Sequence, residues 1–385
     1  MDTPRERFYT ACEHKEPDRV PVDFGGLIAT ILDAGPYGYR ALAEHLNITD
    51  YEKPAVAYIL NSVANVDERI LKRLNVDIRH VFPPNAEAPI KFEPNGMMTV
   101  VHGVRLKTVG SWYHPTDFPL ADAKKAKEIE EYPKWADPNS SFYLDGTEEM
   151  LKDYKKNTDY AVMALSGYWG MIWHTYHITR GFDQCFVDLK LNPEIYEAMM
   201  ERITSMNCTF MENYFSKVGD YPDLIQLGDD MGSQEGPYLK PEDYRKYIKP
   251  YWKRVIDTIK EHSDAKIMMH SCGSIYQLLP DFIDIGIDII NPIQPLAKDM
   301  EPEKLKRDFG DKIVLHGGID EQRLLAFGTK EEVIRGTKDY LKILAPGGGY
   351  IGAASHNIEP ETPPEVAVAM YDTIREVGTY PINID

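Results

Sequence analysis

Lys266-Ile267-Met268-Met269-His270-Ser271-Cys272-Gly273 decides how this chain is read. The apolar run at its start has the length of a strand buried on both faces, and an amphipathic helix is predicted from Ser274 onward. An imidazole and a thiol therefore stand two residues apart at the carboxyl end of a strand. In α/β proteins that edge carries the chemistry. A His-x-Cys pair can supply two ligands of a catalytic zinc, which needs a third protein ligand and one open position.

Working outward, the strand-then-helix pattern repeats. Further strands are predicted at 20–24, 76–78, 161–165, 224–227, 287–290, 313–315 and 349–352. With 266–269 they make eight. Helices are predicted at 63–74, 193–215, 241–261, 274–284, 303–309, 330–344 and 364–377. Several open on proline and acids, as in Lys240-Pro241-Glu242-Asp243 and Thr362-Pro363-Pro364-Glu365. Strands alternating with helices imply right-handed βαβ units and a parallel sheet, and eight parallel strands with intervening helices is the count of a (β/α)8 barrel. Residues 85–125 break the pattern. Asn95-Gly96 and His102-Gly103 punctuate alternating segments, which reads as a β-meander inserted in the N-terminal third of a single domain spanning 1–385. Residues 126–160 read as surface helix and connection.

The chain has 385 residues, 43% hydrophobic and 27% charged, ample for a large buried core. No run approaches the ~20 apolar residues of a membrane helix. Met1-Asp2-Thr3-Pro4-Arg5-Glu6-Arg7 lacks the apolar centre of a signal peptide, so a cytoplasmic location is expected. Cys12, Cys185 and Cys208 fall in apparent helices as small apolar residues, and four cysteines make no disulfide framework. A formal net charge of −18 speaks against nucleic acid as a partner and suits solubility or a basic protein partner. The oligomeric state is open, a homodimer included.

In a barrel the segments after each strand converge on one mouth. His270, Cys272, His316 and His356 all follow predicted strands, with either His316 or His356 available as a third ligand. Thiolate and imidazole together favour zinc. The competing reading packs Cys272 under a helix and gives the histidines to an anionic substrate. Asp229-Asp230 offers one carboxylate to cap its loop and one for acid–base work, metal ligation or substrate anchoring. We assign Asp230 and Glu235 as the acid–base candidates. Asp229, Asn291, Gln294 and His316 are the candidates that face substrate. Tyr168 and Trp169, with Trp173, Tyr176 and Phe182 close behind, form either core or a planar wall for an aromatic ligand. Gly347-Gly348-Gly349 precedes a strand, so it is a tight connection and not a phosphate loop.

Longer segments carry a resemblance. They are Arg5-Glu6-Arg7-Phe8, Glu16-Pro17-Asp18-Arg19-Val20-Pro21, Arg180-Gly181-Phe182, Pro237-Tyr238-Leu239-Lys240-Pro241, His270-Ser271-Cys272-Gly273 and Pro346-Gly347-Gly348-Gly349-Tyr350, followed by His356-Asn357-Ile358-Glu359-Pro360. In these the chain resembles the uroporphyrinogen decarboxylase superfamily, and within it the corrinoid-dependent methyltransferases. The resemblance covers nearly the whole chain and implies a distorted (β/α)8 barrel. Decarboxylases of that superfamily carry arginines after the first strand, where this chain has Phe24-Gly25-Gly26-Leu27-Ile28-Ala29-Thr30. The methyltransferase branch carries His-x-Cys and a late third ligand, usually cysteine. His270 and Cys272 match, and His356 stands where that cysteine would be. The resemblance implies Zn2+ on His270, Cys272 and His356. It also implies methyl transfer from a small methylated donor to the cobalt of a separate corrinoid protein. A methoxylated aromatic is the favoured donor, with methanol or methylamine open. The alternatives are a metal-free decarboxylase of a small carboxylate, a corrinoid-protein:thiol methyltransferase, and a non-enzymatic corrinoid-handling protein.

Overall fold

The computed structural model describes residues 1–384 except 33–36, 51–55, 59–62, 85–90, 93–96, 110–111, 142–143 and 166–168. Seven strands form one parallel sheet. They are β1 (Ile78–Val81), β2 (Ala161–Leu165), β3 (Leu224–Gly228), β4 (Lys266–His270), β5 (Ile289–Asn291), β6 (Val314–His316) and β7 (Tyr350–Ile351), each beside its neighbour in sequence. Helices fill the connections, giving the TIM-barrel-like α/β fold.

The eighth predicted strand forms the seam. Val22 bridges Gly352 in parallel. Gly352 N donates to Pro21 O at 2.8 Å and Asp23 N to Gly352 O at 3.0 Å, while Asp77 N donates to Val22 O at 2.8 Å on the other side. The segment thus joins β7 to the residue preceding β1. Asp77, buried, locks the seam: its carboxylate accepts from Val22 N and from Arg19, both at 2.8 Å, and from Arg7 at 2.6 Å. Arg7 comes from the helix Pro4–Cys12, whose Thr3 and Glu6 make a reciprocal N-terminal cap.

Strand side chains alternate between faces. Ile78, Met163, Leu224, Met268, Ile289, Val314 and Ile351 point inward and fill the barrel together with Phe8. Their neighbours Val162, Ile225, Ile267, Ile290, Leu315 and Tyr350 pack outward under the helices.

Helices Lys330–Leu344 and Pro364–Val377 fall where their caps and prolines predict. Three expectations are corrected. The span 63–74, predicted as one helix, begins with a short strand, Val63–Ala64, which pairs with Val56–Tyr58, and continues as a shorter helix, Glu68–Arg73, which Asp67 caps. The helix at 241–261 divides into Pro241–Tyr247 and Lys249–His262, because Pro250 has no N–H to continue the first. The helix at 274–284 starts as a 3-10 turn, Tyr276–Leu278, before Leu279–Ile285. The insertion is an antiparallel meander of Lys91–Phe92, Met97–Thr99, Arg105–Val109 and Trp112–Asp117. Its Asn95-Gly96 turn lies outside the described residues. His102, at φ +60°, makes the second turn. Among the described residues no helix is long and apolar enough to cross a membrane.

Removing the seam's carboxylate leaves Arg19 without its buried counter-charge and Arg7 with Asp18 alone. Asp77→Ala is expected to lower the unfolding free energy by about 3–5 kcal/mol, read by guanidinium unfolding. A loss below about 1 kcal/mol would show that closure does not depend on it.

Candidate metal centre

The alternation that fills the barrel also places the site. Met268 points inward, so His270, two residues on, points inward at the carboxyl end of β4. Cys272 follows in a loop held by close backbone packing. Ser274 N donates to Ser233 O at 2.7 Å, and a Cβ on Gly273, at φ +87°, would lie 2.3 Å from Gly232 O. Only glycine tolerates that approach. Gly273 N also donates to Gln294 Oε1 at 2.6 Å, and Cys272 N to Asp230 Oδ1 at 2.8 Å. His356 arrives from the loop after β7.

The ligand atoms of His270, Cys272 and His356 all lie within 4.8 Å of one another. Cys272 Sγ is 3.3 Å from His270 Nε2. Two such ligands on a tetrahedral zinc stand roughly 3.5 Å apart, so the donor set fits that ion. The electrostatics agree. Burial and the adjacent Asp230 carboxylate hold the proton on the Cys272 thiol, and burial, aided by His270, lowers His356 to about 4. A cation among these three would release the thiol proton and find His356 already neutral.

His316 does not join them. It is fully buried, with Nδ1 against Asn291 and Nε2 against Asp23. That removes it from the third-ligand alternatives and corrects its assignment to substrate. Asn291, also fully buried, bonds His270 and His316 and is likewise corrected.

The acids divide. Asp229 is buried, and its carboxylate accepts from the backbone N–H groups of Ile172, Trp173 and His174 and from Trp252 Nε1 at 2.7–3.0 Å. It caps the helix Trp173–Arg180, which corrects its assignment to substrate. Burial raises it to about 7 against the pull of those donors. Asp230 stands beside the cluster, 3.7 Å from His270 Nε2, with its side chain 45% exposed. Burial would raise its pKa, but His270, the Cys272 N–H, His174 and His356 together hold it below the usual carboxylate range. It is an anion, not the proton donor expected. Glu235 is exposed in the 232–237 turn and does not line the cleft.

The aromatic wall is core. Trp169 stacks on Phe210 at 5.0 Å, and Trp173 and Tyr176 are buried. Tyr168 lies outside the described residues. Exposed Phe182 meets Tyr238 edge-to-face at 5.2 Å, and Tyr238 does line the cleft.

That cleft, about 390 Å³, opens over Cys272 and His356 between Ser233, Gln234, Tyr238, Pro292, Gln294, Gln322 and Ser355. No arginine or lysine is among its described lining residues. The one carboxyl group among its described lining residues is Glu321, which sequence reading missed. Burial, then Asp320 and Glu359, raise Glu321 to about 7. The adjacent acids Asp320-Glu321 after β6 were the available signal, the same pattern as Asp229-Asp230. His174 also approaches Asp230 but sits inside a helix, where no strand-end rule finds it.

The family model described as uroporphyrinogen decarboxylase (URO-D) matches residues 114–377. A uroporphyrinogen decarboxylase of Geobacter sp. (strain M21) is 29% identical over 188 residues, 49% of this chain and 50% of that protein. The barley enzyme of the same name (Hordeum vulgare) is 23% identical over 265 residues, 67% of this chain and 74% of that protein. The match thus spans about half the length of the first of these relatives. A solved methyltransferase from Methanosarcina mazei superposes with a TM-score of 0.65 at 15% identity, covering 98% of this chain and 99% of that one. That likeness concerns the fold.

The two aspartates predict separable losses. Asp229→Ala strands four buried donors and is expected to cost about 3 kcal/mol of stability. Asp230→Ala should cost under about 1 kcal/mol while weakening any affinity of the cluster for zinc. Thermal melts and a chelator competition on both variants measure this, and equal destabilisation by both would refute the division.

Proposed function

The chain belongs to the uroporphyrinogen decarboxylase family, and from that premise we propose that it is a zinc-dependent methyltransferase. It takes a methyl group from a small methylated donor to the cobalt of a corrinoid carried by a partner protein. The observation that carries this reading is the convergence of His270, Cys272 and His356 under an open cleft. Zinc held there supplies Lewis acidity toward the donor's leaving atom.

The surrounding residues support the same reading. Breaking a methyl–oxygen bond needs one proton on the leaving oxygen. Glu321 lines the cleft and, raised to about 7, is the carboxyl group able to give it near neutrality. Asp230, an anion beside the cluster, lowers the charge of the metal–ligand set and holds the Cys272 loop through its N–H. Gln294 and Gly273 fix the other side of that loop.

The lining argues about the donor. With no cationic side chain described around it, the cleft offers a polycarboxylate nothing to pair with, which weighs against decarboxylation of a tetrapyrrole. With Trp169 and Trp173 in the core, an aromatic donor loses its wall. Neutral polar groups and a protonated acid suit a small neutral ether or alcohol. Methoxyarenes remain within the 390 Å³ available. A cytoplasmic setting keeps the Cys272 thiol reduced.

Consumption of cob(I)alamin, followed by its spectrum, tests the reading with methanol, methoxyarenes and methylamines as donors. We expect loss of the cob(I) band with one donor class, about one zinc per chain, and no turnover by Cys272→Ala. No spectral change with any of the three classes would end the proposal. Glu321 acts protonated, so the rate should fall as pH rises through about 7. Glu321→Gln should lower the rate about 100-fold and abolish that limb.

A further inference from the structure

The inner face of the barrel carries a second polar layer directly beneath the metal centre. In β4, β5 and β6 the inward apolar residues Met268, Ile289 and Val314 are each followed two residues later by a polar one: His270, Asn291 and His316. The strand register sets these side by side, since His270 pairs with Asn291 and Ile289 with Val314. Asp23, on the seam segment, completes the row.

The row is hydrogen-bonded end to end. His270 Nδ1 is 2.6 Å from Asn291 Oδ1, Asn291 Nδ2 is 2.7 Å from His316 Nδ1, and His316 Nε2 is 2.9 Å from Asp23 Oδ2. Asn291 and His316 are fully buried and Asp23 nearly so, shut off from bulk solvent. On the far side, His80 Nε2 lies 3.0 Å from Asp23 Oδ1. A Cβ on Gly26 would come within 2.8 Å of the His80 ring, so the row is tightly packed at that end too.

Donor and acceptor rules, with the orientation of the Asn291 amide, then place the protons along the row. A carboxylate only accepts, so His316 carries its proton on Nε2. Asn291 turns its NH2 group to His316 Nδ1, which therefore accepts, and its carbonyl oxygen to His270. That oxygen also only accepts, so His270 is protonated on Nδ1. Its Nε2 lone pair is left facing Cys272 and His356.

We infer that Asp23, His316 and Asn291 form a positioning relay that fixes the tautomer and ring orientation of His270, making it an Nε2 ligand. The inference rests on the zinc reading above, but the tautomer can be read without metal. Partners behind a ligating histidine typically govern metal affinity 10- to 100-fold. This relay makes that affinity depend on the N-terminal segment that closes the barrel, far from the cleft in sequence.

The test uses the full chain labelled with ring-15N histidine, with His270→Gln assigning the His270 signals. Long-range 1H–15N spectra of the metal-free protein should show His270 protonated on Nδ1. Asp23→Ala and Asn291→Leu should shift it toward the Nε2–H form and weaken zinc binding in a chelator competition by roughly 10- to 100-fold. Asn291→Asp retains an acceptor on His270 Nδ1 and should keep both the tautomer and the affinity. It also serves as the informative variant if a melt shows that Asn291→Leu has not folded. A wild-type Nε2–H tautomer, or Asp23→Ala with tautomer and affinity unchanged, overturns the relay. The expected tautomer in a wild-type chain that binds no zinc upholds the relay's control of His270 and defeats the zinc reading alone.

Discussion

The two-residue side-chain period of the parallel strands is the constraint on which everything else depends. Met268 inside forces His270 inside, Ile289 brings Asn291 with it, and Val314 brings His316. A slip of one residue in any of these strands would send its apolar residue to the helices and its polar residue out of the row. The apolar filling of the barrel and the polar layer above it are thus one specification. Because that layer rests on a closed hydrophobic plug and Asn291, His316 and Asp23 in it are buried, bulk solvent does not compete for its hydrogen bonds.

Closure seals the plug, and closure is ionic as well as hydrogen-bonded. The Val20–Asp23 segment is too short in regular pairing to hold by its ladder alone, with a single bridge to Gly352 and one bond from Asp77 N. Asp77 compensates by drawing Val22 N, Arg7 and Arg19 onto one buried carboxylate. The same segment then presents Asp23 to His316. Stability at the bottom of the barrel and the proposed orientation of His270 at its top therefore meet in four consecutive residues.

How far this was legible in the sequence follows from which rules are local. Strands and the helices with caps or prolines are local patterns, and Lys330–Leu344 and Pro364–Val377 fall where those patterns put them. The break at Ile248 was equally local, since Pro250 announces it, but the periodicity on either side masks it. His270 and Cys272 were legible as neighbours in sequence, and His356 through the order of strand ends. Residue type could not separate His316 from His356, because both follow strands. What separates them is facing: His316 belongs to the strand and points into the barrel, whereas His356 belongs to the loop. The aromatic spacing of Trp169 and Trp173 defined a shared face but not what that face meets, and it meets Phe210 and the core.

The two pairs of adjacent acids show how one local rule yields two chemistries. Asp229 accepts the first N–H groups of the helix Trp173–Arg180, and Asp320 accepts those of Gln322, Arg323 and Leu324. Each capping acid is thereby spent on the backbone, and the next residue, Asp230 or Glu321, is free to act at the site. Their surroundings then drive the two apart. Asp230 meets two histidines of the cluster and a backbone N–H, and is held low. Glu321 meets burial and two other acids, and is raised to about 7. Carboxyl groups pushed in opposite directions take opposite roles. In the proposed reaction the ionised one suits the cation, and the protonated one suits the leaving oxygen. Exchanging their surroundings, not their identities, would exchange those roles, since an aspartate and a glutamate differ by one methylene but share one chemistry.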